Sequence, residues 1–111
     1  MFNQLNDEEF CKEVENSLKN NLNKDKTNEE ILVKKFGKSY SSIKQRYKRC
    51  SVKTIFATHE RIRLEYALNQ LIDKCCFEVM LDLGFDYDSN FTRWFKKHNN
   101  ITPSEYKRLN T

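Results

Sequence analysis

The side chains of this chain that could do chemistry are cations, amides and hydroxyls at helical spacing. Asp88, Ser89, Asn90 and Arg93 fall within six positions, and Tyr40, Ser41, Lys44 and Gln45 occupy the corresponding stretch 48 residues earlier. These groups form directional hydrogen bonds. The guanidinium of Arg93 offers parallel donors that match guanine O6 and N7, and the carboxamide of Asn90 can pair with adenine in the same two-point way. Asp88 suits a cytosine amino group, although an acid in the first turn of a helix also stabilises that terminus. In the earlier stretch Lys44 or Gln45 could read a base, while Tyr40 and Ser41 could equally touch phosphate. Lys48, Arg49, Lys96 and Lys97 lie one turn further on, where cations clamp phosphates without reading sequence. The plainer alternative is that they solvate helix faces.

Other chemistries find little support. The four cysteines (Cys11, Cys50, Cys75, Cys76) contain no C-x-x-C pair, and His59 and His98 have no partner at metal-ligand spacing. Cys75 and Cys76 are adjacent and point apart on a helix, so the expectation is four small buried hydrophobes in a reducing compartment. There is no nucleophile–base pair and no phosphate-cradling glycine loop, and two glycines are too few for most such sites. No catalytic residue, metal or cofactor is expected. The opening decapeptide carries Asp7, Glu8 and Glu9 and no basic residue, unlike a secretory signal, and no apolar run is long enough to span a bilayer. A cytoplasmic protein with no membrane partner follows as the expectation.

Charge is segregated along the 111 residues. The net is −4 over residues 1–30, +9 over 34–63, −5 over 64–92 and +4 over 93–111. Two basic blocks separated by an acidic one suggest two contact regions for a polyanion.

The elements that must position these residues are helices, since one proline and two glycines leave few sharp turns. Phe10, Val14, Leu18 and Leu22 recur every fourth residue and line one face of a first helix, capped by Asn6 or Asp7. Thr27 and Glu30 have capping-box spacing for a second helix, which buries Ile31 or Leu32, Val33 and Phe36 and stops at Gly37. Ser39 opens a third, with Ile43 and Tyr47 inward and Lys44, Arg46, Lys48 and Arg49 outward. Two short helices joined by a glycine turn outline a helix-turn-helix. A second copy follows: Cys76, Val79, Met80 and Leu83 form an apolar side before Gly84, and Asp86 caps a helix with Phe91 and Phe95 inward. At an offset of 48 residues Ile43 falls on Phe91, Tyr47 on Phe95, Lys48 on Lys96, Arg49 on Lys97 and Thr54 on Thr102. The two glycines align only with one residue inserted in the second turn, at Phe85.

Between the copies a continuous helix is expected from about Thr54 to Leu71, with Ile55, Ile62, Tyr66, Ala67 and Leu71 as its apolar positions. At ~1.5 Å per residue it spans roughly 25 Å, enough to hold two motifs apart. Thr102-Pro103-Ser104-Glu105 starts a last helix. The fold class is therefore all-α, about seven helices forming two homeodomain-like helix-turn-helix subdomains, 8–53 and 73–111, joined by a linker helix at 54–72.

Leu83-Gly84-Phe85, the run Asn90-Phe91-Thr92-Arg93-Trp94-Phe95-Lys96-Lys97-His98, and Ile101-Thr102-Pro103-Ser104-Glu105-Tyr106 resemble the second half of the AraC/XylS-type DNA-binding domain. Arg63-Leu64 with Ala67 and Leu71 resembles that family's linker helix, and the resemblance covers about residues 10–108. Four positions depart from the family pattern. Lys38 stands at a usually apolar site, Val52 and Asn100 at sites commonly glycine, and Thr58 where an aromatic is usual; Tyr106 keeps that aromatic in the second copy. Valine fits a left-handed backbone badly, so the turn before Thr54 is expected to take another shape. Trp94 and the core aromatics are packing residues, and Arg63 is expected to pair with an acid inside the molecule.

The resemblance implies a sequence-specific binder of double-stranded DNA, bacterial and nucleoid-associated when bound. A stand-alone member would bind as a monomer, place two recognition helices in successive major grooves, and act on transcription initiation with RNA polymerase as partner. Two other classes compete: an architectural or recombination-directing protein of a mobile element, and a protein-interaction adaptor on the same scaffold.

Overall fold

The computed structural model describes residues 2–23 and 28–111 throughout, and residues 25–27 by their backbone alone. Among the described residues there are seven helices and no strand: α1 (Asp7–Lys19), α2 (Asp25–Phe36), α3 (Tyr40–Ser51), α4 (Ile55–Gln70), α5 (Cys76–Asp82), α6 (Asp88–Asn99) and α7 (Pro103–Leu109). None is long and apolar enough to cross a membrane. The chain divides into two compact units, Met1–Ile62 and Arg63–Thr111, with the division inside α4.

In the first unit the four-residue spacing of α1 does what it predicts: Phe10, Val14 and Leu18 are fully buried, and Leu22 packs against the same core. Asn6 is the N-cap, its side chain accepting from the Glu9 amide at 2.8 Å while the Glu9 carboxylate accepts from the Asn6 N–H. Leu32 and Phe36 of α2 and Ile43 and Tyr47 of α3 complete this core, and Ile31 lies outside it, partly exposed. α2 begins at Asp25, ahead of the capping box read at Thr27; the Thr27 side chain lies outside the described residues. The ring of Phe2, before the first helix, meets Phe10 at 5.3 Å and Phe36 at 6.3 Å, both edge-on. No periodicity announces that contact.

Arg46 corrects the sequence reading. It faces inward: its guanidinium donates to the carbonyls of Phe2 and Leu5, pairs with Asp7 at 3.1 Å, and lies over the Phe10 ring at 4.5 Å. Its Cα sits on the flank of α3, and the N-terminal segment folds back over that flank, which no local pattern encodes.

The cysteine expectation also fails. The sulfurs of Cys11 and Cys50 meet as a disulfide between α1 and the last turn of α3, Cys75 is exposed, and Cys76 is half-buried. The packing of α1 against α3 joins two cysteines that are 39 residues apart in sequence.

α3 ends at Val52 with φ 69° and ψ −15°, the left-handed conformation that valine was expected to refuse. The Val52 N–H still reaches the Lys48 carbonyl at 2.9 Å, and the side chain is 83% exposed, so nothing clashes with it. Helix geometry prevails over residue preference here. A polar network lies below the first turn of α4: the Asn28 amide bonds the His59 ring at 3.0 Å, His59 Nε2 meets the Asn21 carbonyl at 2.8 Å, and Asn21 donates to Asn28 at 2.7 Å. With the ring proton on Nε2, every one of those bonds is satisfied.

The second unit is built on Ala67, Leu71, Val79, Met80, Leu83, Phe85, Phe91 and Phe95. α5 closes in a Schellman turn: the Gly84 N–H bonds Leu81, the Phe85 N–H bonds Met80, and Gly84 takes φ 81°. That turn accounts for the extra residue in the second copy. The α6 cap differs from expectation. Tyr87 is the N-cap, with no side-chain cap bond, and Asp86 lies one residue too early. Asp88 supplies the first-turn acid instead. Thr102 and Glu105 form the expected capping box of α7 around Pro103. Arg63 is buried; its guanidinium donates to the Leu83 carbonyl at 2.9 Å and lies about 5 Å over the Phe85 and Trp94 rings.

Candidate nucleic-acid interface

α3 and α6 are both twelve-residue helices whose bounds differ by 48 at each end. Each buries two aromatic or aliphatic residues one turn apart, Ile43 and Tyr47 in α3 and Phe91 and Phe95 in α6. That buried pair fixes which face each helix turns outward.

At about 100° per residue, Arg93 lies about 180° from the midpoint of Phe91 and Phe95. Ser89 and Lys97 stand within about 40° of Arg93, and Asn90 and Lys96 about 60° to either side. All five are exposed. One polar, cationic face thus carries a guanidinium, an amide, a hydroxyl and two ammonium groups; Glu105 of α7 acts on Lys96 at its edge, and the acid of α6 itself is off to the side. Asp88 lies about 140° from Arg93, round toward the core. It suits the positive end of the helix better than the face that Arg93 occupies.

The same construction in α3 puts Gln45 opposite the core, with Ser41 and Arg49 within about 40° and Lys48 about 60° away. All four are exposed. Tyr40 and Lys44 leave this group. Lys44 stands about 100° from Gln45, its ammonium is 4.9 Å from the half-buried Tyr40 ring, and both line a groove toward the first turn of α4. So nine of the twelve residues singled out in the sequence share two equivalent faces, and Tyr40, Lys44 and Asp88 do not.

The structure also sorts the cations that charge counting lumps together. Lys35 pairs with Glu13 at 2.7 Å and bonds the Ser17 hydroxyl. Lys107 donates to the carbonyls of Leu71 and Lys74 just beyond α4, at 2.9 and 3.0 Å. With Arg46 and Arg63 these serve the fold. Lys48, Arg49, Lys96 and Lys97 remain exposed on the outward faces. Nothing in residue type or spacing separates the two groups.

Electrostatics inside the second unit concerns stability. Asp82 accepts from the Tyr66 hydroxyl at 2.6 Å and from Lys74 at 3.0 Å. The Tyr66 hydrogen bond, with Lys74 beside it, holds the Asp82 carboxyl below its ordinary pKa, and the bond to Asp82 raises that of Lys74. The Thr102 hydroxyl and backbone N–H likewise lower Glu105.

The aromatic pattern differs between the copies in a compensating way. In the second unit Phe95 packs on Tyr106 at 5.7 Å, and the Tyr106 hydroxyl donates to the Leu68 carbonyl. In the first, Tyr47 and Thr58 hold the equivalent positions, and their hydroxyls meet at 2.9 Å. The phenol has moved to the helix partner, so the departure at Thr58 leaves a satisfied pair. Trp94 packs between Phe85 at 5.4 Å and His98 at 5.5 Å, as its packing role requires.

A family model described as a helix-turn-helix domain matches residues 32–109. A curated relative from Pseudoalteromonas carrageenovora, an uncharacterized HTH-type transcriptional regulator in the cgkA 5' region, is 30% identical over 95 residues, which are 86% of this chain and 54% of the relative. The chain spans about half the length of that protein. Among solved structures, the C-terminal domain of AraT, a response regulator from Geobacillus stearothermophilus, is similar with a TM-score of 0.76 at 19% identity, covering 90% of this chain and 84% of that one. At that identity the likeness establishes the fold alone.

Proposed function

Because the chain belongs to the AraC/XylS family of helix-turn-helix domains, we propose that it binds double-stranded DNA in a sequence-specific way and regulates transcription initiation. The family is one of DNA-binding regulators and not of enzymes. The observation that supports this reading best is the equivalence of α3 and α6. Each turns a face of hydroxyl, amide or guanidinium groups flanked by cations away from its buried pair. A helix with such a face fits the major groove: Arg93 pairs with guanine, Asn90 with adenine, and Lys96 and Lys97 hold phosphates. In the first motif Gln45 takes the position of Arg93 and Ser41 that of Ser89. Lys48 and Arg49 clamp phosphate there, while Tyr40 and Lys44 reach the backbone at the groove edge.

One monomer would place α3 and α6 in successive major grooves roughly 34 Å apart. The two faces differ in sequence, so the site is asymmetric. RNA polymerase is the partner through which bound protein affects initiation. Hydroxyl-radical footprinting on a selected duplex, with stoichiometry read by calorimetry, tests this. One chain per duplex with two unequal protected patches about one helical turn apart is expected. A palindromic footprint holding two chains, or a single patch, would overturn the monomer arrangement.

A further inference from the structure

The first unit contains a cavity of about 790 Å³ that the DNA-facing surface does not use up. Its volume lies within the range of small-molecule sites. Tyr40, Lys44 and Lys48 form one wall, a single strip of α3 at four-residue spacing, and Arg49 adds a third cation at the rim. The opposite wall is the first turn of α4, where Ile55 is buried and the Phe56 ring stands 58% exposed. The nearly buried Asn28 and His59 pair closes the floor.

The chemistry of these walls is selective. Three cations border the cavity, and no carboxylate is among the described residues lining it. A large aromatic ring left open to solvent faces them, and Gln45 of α3 lines the same cavity beside Lys48 and Arg49. Duplex phosphates would meet the cations but would leave the exposed Phe56 ring wet. A bare inorganic anion has the same defect. A molecule with an anionic head and an apolar body satisfies both walls: its head rests on Lys44, Lys48 and Arg49, and its body covers the Phe56 ring.

We infer that this cavity is a binding site for a small amphipathic anion, an aromatic or aliphatic carboxylate. Gln45, Lys48 and Arg49 also belong to the face offered to DNA, so a ligand held here competes with duplex at the first motif. That competition rests on the DNA-binding reading; the site itself does not.

The test is calorimetric titration of the full chain with 2-naphthoate and with its neutral isostere, 2-naphthamide. Naphthoate is expected to bind one per chain and the amide at least about ten-fold more weakly. Phe56→Ala should weaken naphthoate by a similar factor with unchanged helical circular dichroism. The Lys44→Ala, Lys48→Ala double variant should erase the preference for the acid over the amide. Equal affinity for acid and amide, indifference to Phe56→Ala, or no saturable naphthoate binding would overturn the site. Repeating the titration with a selected duplex present separates the two readings. Naphthoate binding to a chain with no affinity for any duplex keeps the site and removes the regulator. Duplex binding without naphthoate binding does the reverse.

Discussion

Val52 and Asn100, 48 residues apart, share one backbone conformation, with φ 69° and 68°, and each gives its N–H to the carbonyl four residues earlier, at Lys48 and Lys96. Each ends a twelve-residue helix, and each precedes a threonine that caps the next, Thr54 and Thr102. The second copy fills this position with asparagine, which tolerates left-handed geometry; the first fills it with a β-branched residue that does not.

Strain of about 1–2 kcal/mol is therefore stored at Val52. Val52→Gly relieves it and loses roughly 0.5–1 kcal/mol to the freer unfolded chain, so a net gain of about 0.5–1 kcal/mol is expected. Thermal unfolding should show the midpoint rising by a few degrees, and Asn100→Gly should shift it less. A lower midpoint for Val52→Gly would mean that the valine side chain contributes packing, contrary to its exposure.

Arg46 ties Phe2, Leu5 and Asp7 to α3. Arg46→Ala should destabilise the chain by about 2–3 kcal/mol, since charge-assisted bonds and two ring contacts are lost together. Lysine should restore little, because the planar fork is what reaches three partners. Denaturant midpoints of the three proteins check this. The salt dependence of duplex binding by Arg46→Ala should match the wild type, because Arg46 faces inward.

Stability should fall on the acid side through Asp82 and Glu105. Both carboxyls sit below their ordinary pKa, Asp82 through the Tyr66 hydroxyl and Glu105 through Thr102. The unfolded chain then binds more protons than the folded one at acid pH, so their contribution is complete above the unfolded value of about 4 and is lost as pH falls through the lower folded values. Lys74 runs the other way: its raised pKa makes its contribution complete below the unfolded value and lost at alkaline pH. Urea midpoints against pH should fall less steeply toward acid in an Asp82→Asn, Glu105→Gln variant. An identical acid slope would contradict the assignment.

Arg93 lies opposite the buried pair of α6, and the proposed reading makes it a base-contacting residue. Arg93→Ala should cost about 1–3 kcal/mol on the preferred duplex and relax one position of the motif. Competition binding with single-base variants measures both. A uniform loss across all variants would make Arg93 a phosphate clamp.

The repeat was the most legible feature because it is local. Apolar spacing, glycine stops and threonine caps lie within single helices and their turns, so α3 and α6 align residue by residue from the sequence. Helix period from Ile43–Tyr47 and Phe91–Phe95 turns Gln45 and Arg93 outward, but grouping residues by stretch also took in Tyr40, Lys44 and Asp88, which the same period turns aside. What stayed hidden depends on segments distant in sequence. Cys11 meets Cys50 only because α1 packs on α3, and Arg46 turns inward only because Phe2 folds back. Lys107 is taken by carbonyls beyond α4, and Asn28 reaches His59 across 31 residues. The Asp86 cap missed by one residue because the Schellman turn at Gly84 sets where α6 can begin.

Selection of the purified chain against a random duplex library, with binding repeated across a salt series, tests the central claim of sequence-specific reading by two helices. The expected result is an enriched asymmetric motif in two blocks, with affinity falling as salt rises and each of Lys48, Arg49, Lys96 and Lys97 reducing the logarithmic salt slope by about 1 when replaced. Steep salt dependence without any enriched sequence would contradict it and identify an architectural binder; no binding even at low salt would remove the DNA function and leave only the fold.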